Sequence, residues 1–113
     1  MTPGSRAAGD VASLVLVDVL AALADPVRLE IVRVLSAGPD ERCCAEIHLP
    51  VTKSTSSHHY KVLREAGVID TRDEGTRRYQ RLRRAELDAA FPGLLDSILL
   101  AAASPAAAAS GPA

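Results

Sequence analysis

A chain of 113 residues has room for one domain, and 48% hydrophobic with 24% charged residues is globular composition, which excludes an intrinsically disordered protein. With two tyrosines, one phenylalanine and no tryptophan, the core must be built from aliphatic side chains. Thirteen basic and fourteen acidic residues leave a formal charge of −1, so net charge alone selects no partner, and two adjacent cysteines, Cys43 and Cys44, exclude a disulfide framework.

Residues 1–10 read as a flexible leader, since they lack the basic region and apolar core of a secretion signal. The longest apolar stretch, Val11 to Ala24, is too short to span a bilayer and contains Asp18, so the protein is expected in the cytoplasm. That stretch predicts a first helix that is apolar nearly all round. A chain this small cannot cover such a helix on every side, and a second chain is its natural cover. Asp25 followed by Pro26 predicts the start of a second helix, because Asp caps exposed amides and Pro suits the first helical position. Val27, Ile31, Val34 and Leu35 give it an apolar face, and the Ser36–Asp40 segment ends it. The segment 41–47, "ERCCAEI", predicts a short third helix, and Leu49, Pro50 and Val51 form the turn after it.

The run from Ser54 to Asp70 is the most informative. At roughly 100° per residue, Ser54, Ser57, His58, Lys61 and Arg64 share one helical face, while Thr55, His59, Val62, Leu63 and Ala66 share the other. Small hydroxyls at the start, then an imidazole and a lysine, suit a helix that enters a DNA major groove, where bulky first-turn side chains would block approach. His59, beside Leu63 and Ala66 on the packing face, reads as a structural histidine with a satisfied partner. Gly67 ends the helix where a positive φ is needed.

Beyond it, two extended segments flank Asp73, Glu74 and Gly75, a hairpin by its turn residues. Arg77, Tyr79 and Arg81 alternate with Arg78, Gln80 and Leu82, which makes a small wing with a basic rim. From Lys53 to Arg84 nine Lys or Arg stand against four acids, a local charge of +5 on a chain whose remainder carries −6. Such asymmetry fits a surface that meets phosphates, although a charge run is more often only a solvated face. The last helical segment carries Leu87, Phe91, Leu94, Leu95, Ile98 and Ala102 on one stripe, and Pro92 must kink or restart it. Residues 103–113 read as a frayed tail.

Three motifs in order, "LADPVRLEIVRVL" (residues 23–35), "STSSHHYKVLREAGVI" (residues 54–69) and the wing "GTRRYQRL", resemble the arsenic-repressor (ArsR-like) family of bacterial winged-helix regulators. The resemblance covers residues 11–102. It implies a mainly α fold with a small β-hairpin, a winged helix-turn-helix that forms a homodimer, and a repressor that binds a palindromic double-stranded DNA operator. It implies DNA contacts at Lys53, Ser54, Thr55, Ser57, His58, Lys61 and Arg64, with Arg77 and Arg78 reaching the flanking minor groove or its phosphates from the wing. It also implies a dimer interface on the first and last helices, at Leu14, Val17, Leu87, Phe91, Leu94, Leu95 and Ile98.

The family is often released by a divalent metal ion or a thiol oxidant. One family metal site uses a Cys-x-Cys pair before the recognition helix; here Cys43 holds the first position, but Ala45 holds the second. The family's other site needs a histidine on the last helix, and residues 85–102 contain none. A Cys44 and His48 pair four residues apart, a redox-sensitive thiol at Cys43 or Cys44, and two inert cysteines stay open as readings. No enzyme is expected: there is no phosphate-binding Gly loop, no His-Glu-x-x-His helix and no nucleophile with a base and orienter. The competing reading is a winged-helix dimer whose basic surface docks a protein partner.

Overall fold

The structure, a computed structural model, describes residues 14–103. Among these, α1 (Leu16–Leu23), α2 (Pro26–Ala37), β1 (Arg42–Cys43), α3 (Lys53–Glu65), β2 (Ile69–Glu74), β3 (Arg77–Leu82), α4 (Arg84–Ala90) and α5 (Leu94–Ala102) follow in order, with one 3-10 turn, Cys44–Glu46, between β1 and α3. The expectations for a leader at 1–10 and a tail after Ala103 fall outside the described residues.

The first helix is shorter than the apolar stretch that predicts it. Val15 is extended (φ −115°, ψ 122°) at the N-cap and offers no side-chain acceptor, so α1 begins at Leu16. Its apolar surface divides in two. Val19, Ala22 and Leu23 enter the core, whereas Val15, Leu16, Val17 and Leu20 stay exposed on the protomer.

The Asp25–Pro26 start signal holds. Asp25 Oδ1 accepts from the Val27 amide at 2.8 Å and the Arg28 amide at 3.1 Å, and Pro26 opens α2. Burial pushes the Asp25 carboxyl up, but the two amides and the Arg28 charge outweigh it and hold it below its ordinary value. Ile31, Val32 and Leu35 of α2 meet Leu63 of α3, Val68 and Ile69 in an aliphatic core.

The short helix expected over 41–47 is not α-helical. Arg42 and Cys43 pair with Gln80 and Tyr79 as a third strand, giving an antiparallel sheet of order β1-β3-β2. Glu46 reaches back to the Cys43 amide (3.3 Å), and the chain makes one 3-10 turn before Ile47 becomes extended again. The sheet's demand for a third strand overrides the local helical tendency. The hairpin itself has matched six-residue strands, from Ile69 opposite Leu82 to Glu74 opposite Arg77, closed by Gly75 at φ +62°.

α3 ends in a Schellman arrangement. Gly67 (φ +85°) donates to the Arg64 carbonyl at 3.0 Å and Val68 to that of Leu63 at 3.0 Å. Pro92 divides the last stripe into α4 and α5, with Gly93 at φ +81° turning the chain between them.

Asp25→Ala is expected to cost about 1 kcal/mol of stability near pH 7. Because the folded carboxyl titrates below its unfolded value of 3.8, its contribution is full above that value and is lost as pH falls through the folded one. Urea unfolding at about pH 7 and about pH 2 checks both, since the gap between wild type and variant closes at the acid end.

Candidate nucleic-acid interface

α3 carries the candidate reading face. Thr52 caps it, its Oγ1 accepting from the Thr55 amide at 3.2 Å and donating to the Thr55 hydroxyl at 2.9 Å. Thr55 is therefore exposed at the opening turn, and its expected place on the packing face is corrected: the cap holds its hydroxyl outward. Ser54, Ser57, His58 and Lys61 are exposed on the helix and Arg64 is half-buried, while His59, Tyr60 and Leu63 are buried on the opposite side.

The buried side is fixed as much by polar contacts as by packing. Arg28 donates through Nε to the Ala22 carbonyl at 2.7 Å and through a terminal nitrogen to His59 Nδ1 at 3.1 Å. For Arg28 to donate there, Nδ1 must be unprotonated, with the ring proton on Nε2. Asp25 Oδ1 lies 4.0 Å from the same nitrogen, too far to compete as a hydrogen bond. His59 is thus the satisfied structural histidine its position on the helix predicts.

The basic segment is less cationic in space than in sequence. Arg72 pairs with Glu41 and Glu74, Arg78 with Asp73, Arg81 with Asp70 and Glu86, and Arg84 with Asp96. Arg83 is 2% exposed, donates to the Gly67 carbonyl at 3.1 Å and lies 3.7 Å from both Asp70 and Glu86. It is a buried strut between the end of α3, the sheet and α4. Burial raises the Glu86 carboxyl, yet hydrogen bonds and the charges of Arg81 and Arg83 bring it net below the ordinary range. Among the described residues Lys53, Lys61, Arg64 and Arg77 have no ion-pair partner, and these line α3 and the wing tip. Of the two expected wing contacts, Arg77 has no ion-pair partner among the described residues and Arg78 is held by Asp73 at 2.8 Å.

A cleft of about 710 Å³ lies between the 3-10 turn, the start of α3 and the wing, and includes Cys44, Lys53, Ser57, Tyr60 and Arg77 in its lining. Cys43 is buried, Cys44 half-buried and His48 exposed. The expected Cys44–His48 pairing presumes α-helical spacing, and the 3-10 turn removes that basis. Among the described residues no group of three or more His, Cys, Asp or Glu is arranged to hold a metal ion.

Of the residues expected at a dimer interface, Leu14, Leu87 and Leu95 belong to the protomer's own core. Phe91, Leu94 and Ile98 are half-buried and border a small apolar cavity with Val19 and Leu23. Val17 alone of that set is fully exposed, at 70%, and it is joined by Val15, Leu16, Leu20 and Leu100, which the interface expectation omitted. The apolar stripe of the last helix signals burial, but period alone does not separate the protomer's core from a partner's.

A helix-turn-helix arrangement followed by a β-hairpin, with an exposed polar helix beside a wing, defines a winged helix-turn-helix DNA-binding protein. A helix-turn-helix domain model matches residues 23–72. The chain is 37% identical over 79 residues to the uncharacterized HTH-type transcriptional regulator YceK of Bacillus subtilis (strain 168), covering 68% of this chain and 79% of that protein. It is 36% identical over 72 residues to the arsenical resistance operon repressor of Staphylococcus aureus, covering 62% of this chain and 67% of the relative. A solved structure of a possible transcriptional regulator for arsenical resistance superposes with a TM-score of 0.56 at 35% identity, over 77% of this chain and 97% of the other. The chain belongs to the ArsR-like family of winged helix-turn-helix transcriptional repressors. Among the described residues no helix is long and apolar enough to cross a membrane.

Arg83→Leu is expected to cost about 1–3 kcal/mol, because it takes the donor from the Gly67 carbonyl and leaves Asp70 and Glu86 to share Arg81 as their cation. Urea unfolding measures the loss. A variant as stable as wild type would show that the buried guanidinium is not the strut it resembles.

Proposed function

We propose that the protein acts as a homodimer that presents one α3 to each half of a two-fold symmetric operator, with half-site centres one helical turn or a multiple of it apart. The observation that carries this reading is the two-sidedness of α3: its buried side is pinned by Leu63 and by the Arg28–His59 contact, while Ser54, Ser57, His58 and Lys61 are exposed together. Ser57, His58 and Lys61 take base edges or adjacent phosphates. Lys53, Ser54, Thr55 and Arg64 hold phosphates around the helix, and Arg77 reaches the flanking backbone or minor groove from the wing. Arg78 joins it by exchanging Asp73 for a phosphate, since that pair is exposed and weak.

The second subunit covers the apolar surface that the protomer leaves open. Val15 at the N-cap of α1, Leu16, Val17 and Leu20 on α1, and Leu100 on α5 are too many large apolar side chains for one protomer of this size to leave in water. The protein works in the cytoplasm as a regulator, without a catalytic role, and an effector ends its grip on DNA.

Fluorescence anisotropy with the DNA upstream of the protein's own gene, at two salt concentrations, tests the DNA reading. Affinity is expected to fall steeply with salt through counterion release. His58→Ala and Lys61→Ala each lose about 1–3 kcal/mol on that DNA, and Arg77→Gln lowers the salt slope by about one. Full affinity in both helix variants would overturn the assignment of α3. For the dimer, Val17→Glu is expected to leave the protomer folded and to sediment as a monomer, because it places a charge in the uncovered apolar surface. A Val17→Glu protein that still sediments as a dimer would put the interface elsewhere.

A further inference from the structure

The chain divides its cations by chemistry. The sequence holds eleven arginines and two lysines, and both lysines, Lys53 and Lys61, stand on α3. Arginines carry the fold. Arg81 and Arg83 join β2, β3 and α4 through Asp70 and Glu86, Arg72 ties the wing to Glu41 at 2.7 Å, and Arg28 links α1 to α3. Lys53 opens α3, Lys61 follows about two turns later, and both are exposed. Their surroundings are mixed: Arg77 and Glu46 line the cleft beside Lys53, and Arg64 and Glu65 follow Lys61 on the helix. Solvent access, and not a field of one sign, sets how these amines react. A guanidinium stays protonated and delocalised and offers no nucleophile, whereas a lysine amine becomes one when it sheds its proton. Apart from the chain's α-amino group, α3 is therefore the one place where this sequence can take up an acyl group as an amide.

We propose that Lys53 and Lys61 are an acylation site for small acyl phosphates, which removes charge from the reading side of α3 and leaves the fold untouched. A mixed anhydride of this kind acylates an exposed amine unaided. The neutral Nζ attacks the acyl carbon, a C–N bond forms, and the C–O bond to the phosphate breaks. Phosphate leaves with the electron pair, and the surplus proton on nitrogen passes to it or to water. Nothing is oxidised or reduced, so the acyl phosphate is the sole co-reactant. Each acylated lysine becomes a neutral amide and loses the ammonium that meets a phosphate or a base edge. The arginine ion pairs of the sheet and α4 are inert to the same reagent, so charge is lost on the contact surface and kept in the scaffold. The consequence for DNA rests on the function proposed above: two of the cations placed around α3 are lost while Arg64 and Arg77 keep theirs, so operator binding weakens and depends less on salt.

The test has two arms, both on the full chain. In the first, the protein is treated with acetyl phosphate, folded and in urea, and mapped by mass spectrometry. Lys53 and Lys61 are expected to react in the folded chain at nearly their rate in the unfolded one, and the fully acetylated protein is expected to keep the urea midpoint of untreated protein. A lysine that reacts only in urea, or a lowered midpoint, overturns the site. In the second arm, operator affinity is followed across salt for acetylated protein and for protein whose lysines are reductively dimethylated, a change that keeps their charge. Acetylated protein is expected to bind about tenfold more weakly or worse, with a salt slope shallower by about one to two than that of dimethylated protein. Equal slopes overturn the loss of charge as the cause. Bound operator is also expected to slow acetylation of both lysines by about tenfold or more relative to the α-amino group, as direct contact requires. Undiminished rates in the complex overturn the mutual exclusion of DNA and acyl group. Untreated protein that binds no DNA contradicts the operator reading instead, and the first arm still decides the site.

Discussion

The helix offered to DNA is also a core helix of a small domain, and the structure depends on holding one side of it without touching the other. Leu63 anchors α3 in the aliphatic core, and Arg28 adds direction to that grip. Its guanidinium joins the carbonyl end of α1 to His59 on α3, and it stands in the first turn of α2, capped by Asp25. Apolar packing alone is non-directional and would tolerate rotation of the helix about its axis. A fixed guanidinium fork is directional, so the three helices and the outward row from Ser54 to Lys61 keep one orientation.

The wing is held by a second charged device with a different purpose. Arg83, Arg81, Asp70 and Glu86 lie where β2, β3 and α4 meet, and Arg83 also takes the carbonyl of Gly67 at the end of α3. The recognition helix and the wing are therefore joined through one buried side chain. These arginines serve the fold, and most of the others in the segment are matched by acids on the surface. Among the described residues of the segment, the cations without an acid beside them form a small set around α3 and the wing tip.

Much of the domain is readable from the chain. Asp25–Pro26 starts a helix, Gly67 ends one, Gly75 turns the hairpin, and Pro92 breaks the last helix, because each of these residues acts through its own backbone chemistry. The polar and apolar faces of α3 are equally readable, since helical period is a local property. Segment 41–47 misleads for the opposite reason: its helical tendency is weak, and β3, far along the chain, takes Arg42 and Cys43 as a third strand. Thr55 misleads because Thr52, one residue before α3, draws its hydroxyl outward. Tyr60 and Gln80 carry no local sign that the first lines a cleft with Cys44 and the second holds its sulfur.

The sequence by itself determined where helices begin and end, that α3 has one side for packing and one for contact, and that the chain resembles a family of winged-helix repressors. Only the tertiary structure decided which arginines have acids beside them, which apolar residues the chain encloses and which it leaves exposed, and that two adjacent cysteines meet different surroundings. The division has one physical cause. Caps, breaks and periodicity act over a few residues, whereas burial and ion pairing depend on segments dozens of residues apart, and the same arginine or leucine is compatible with either outcome until those segments meet.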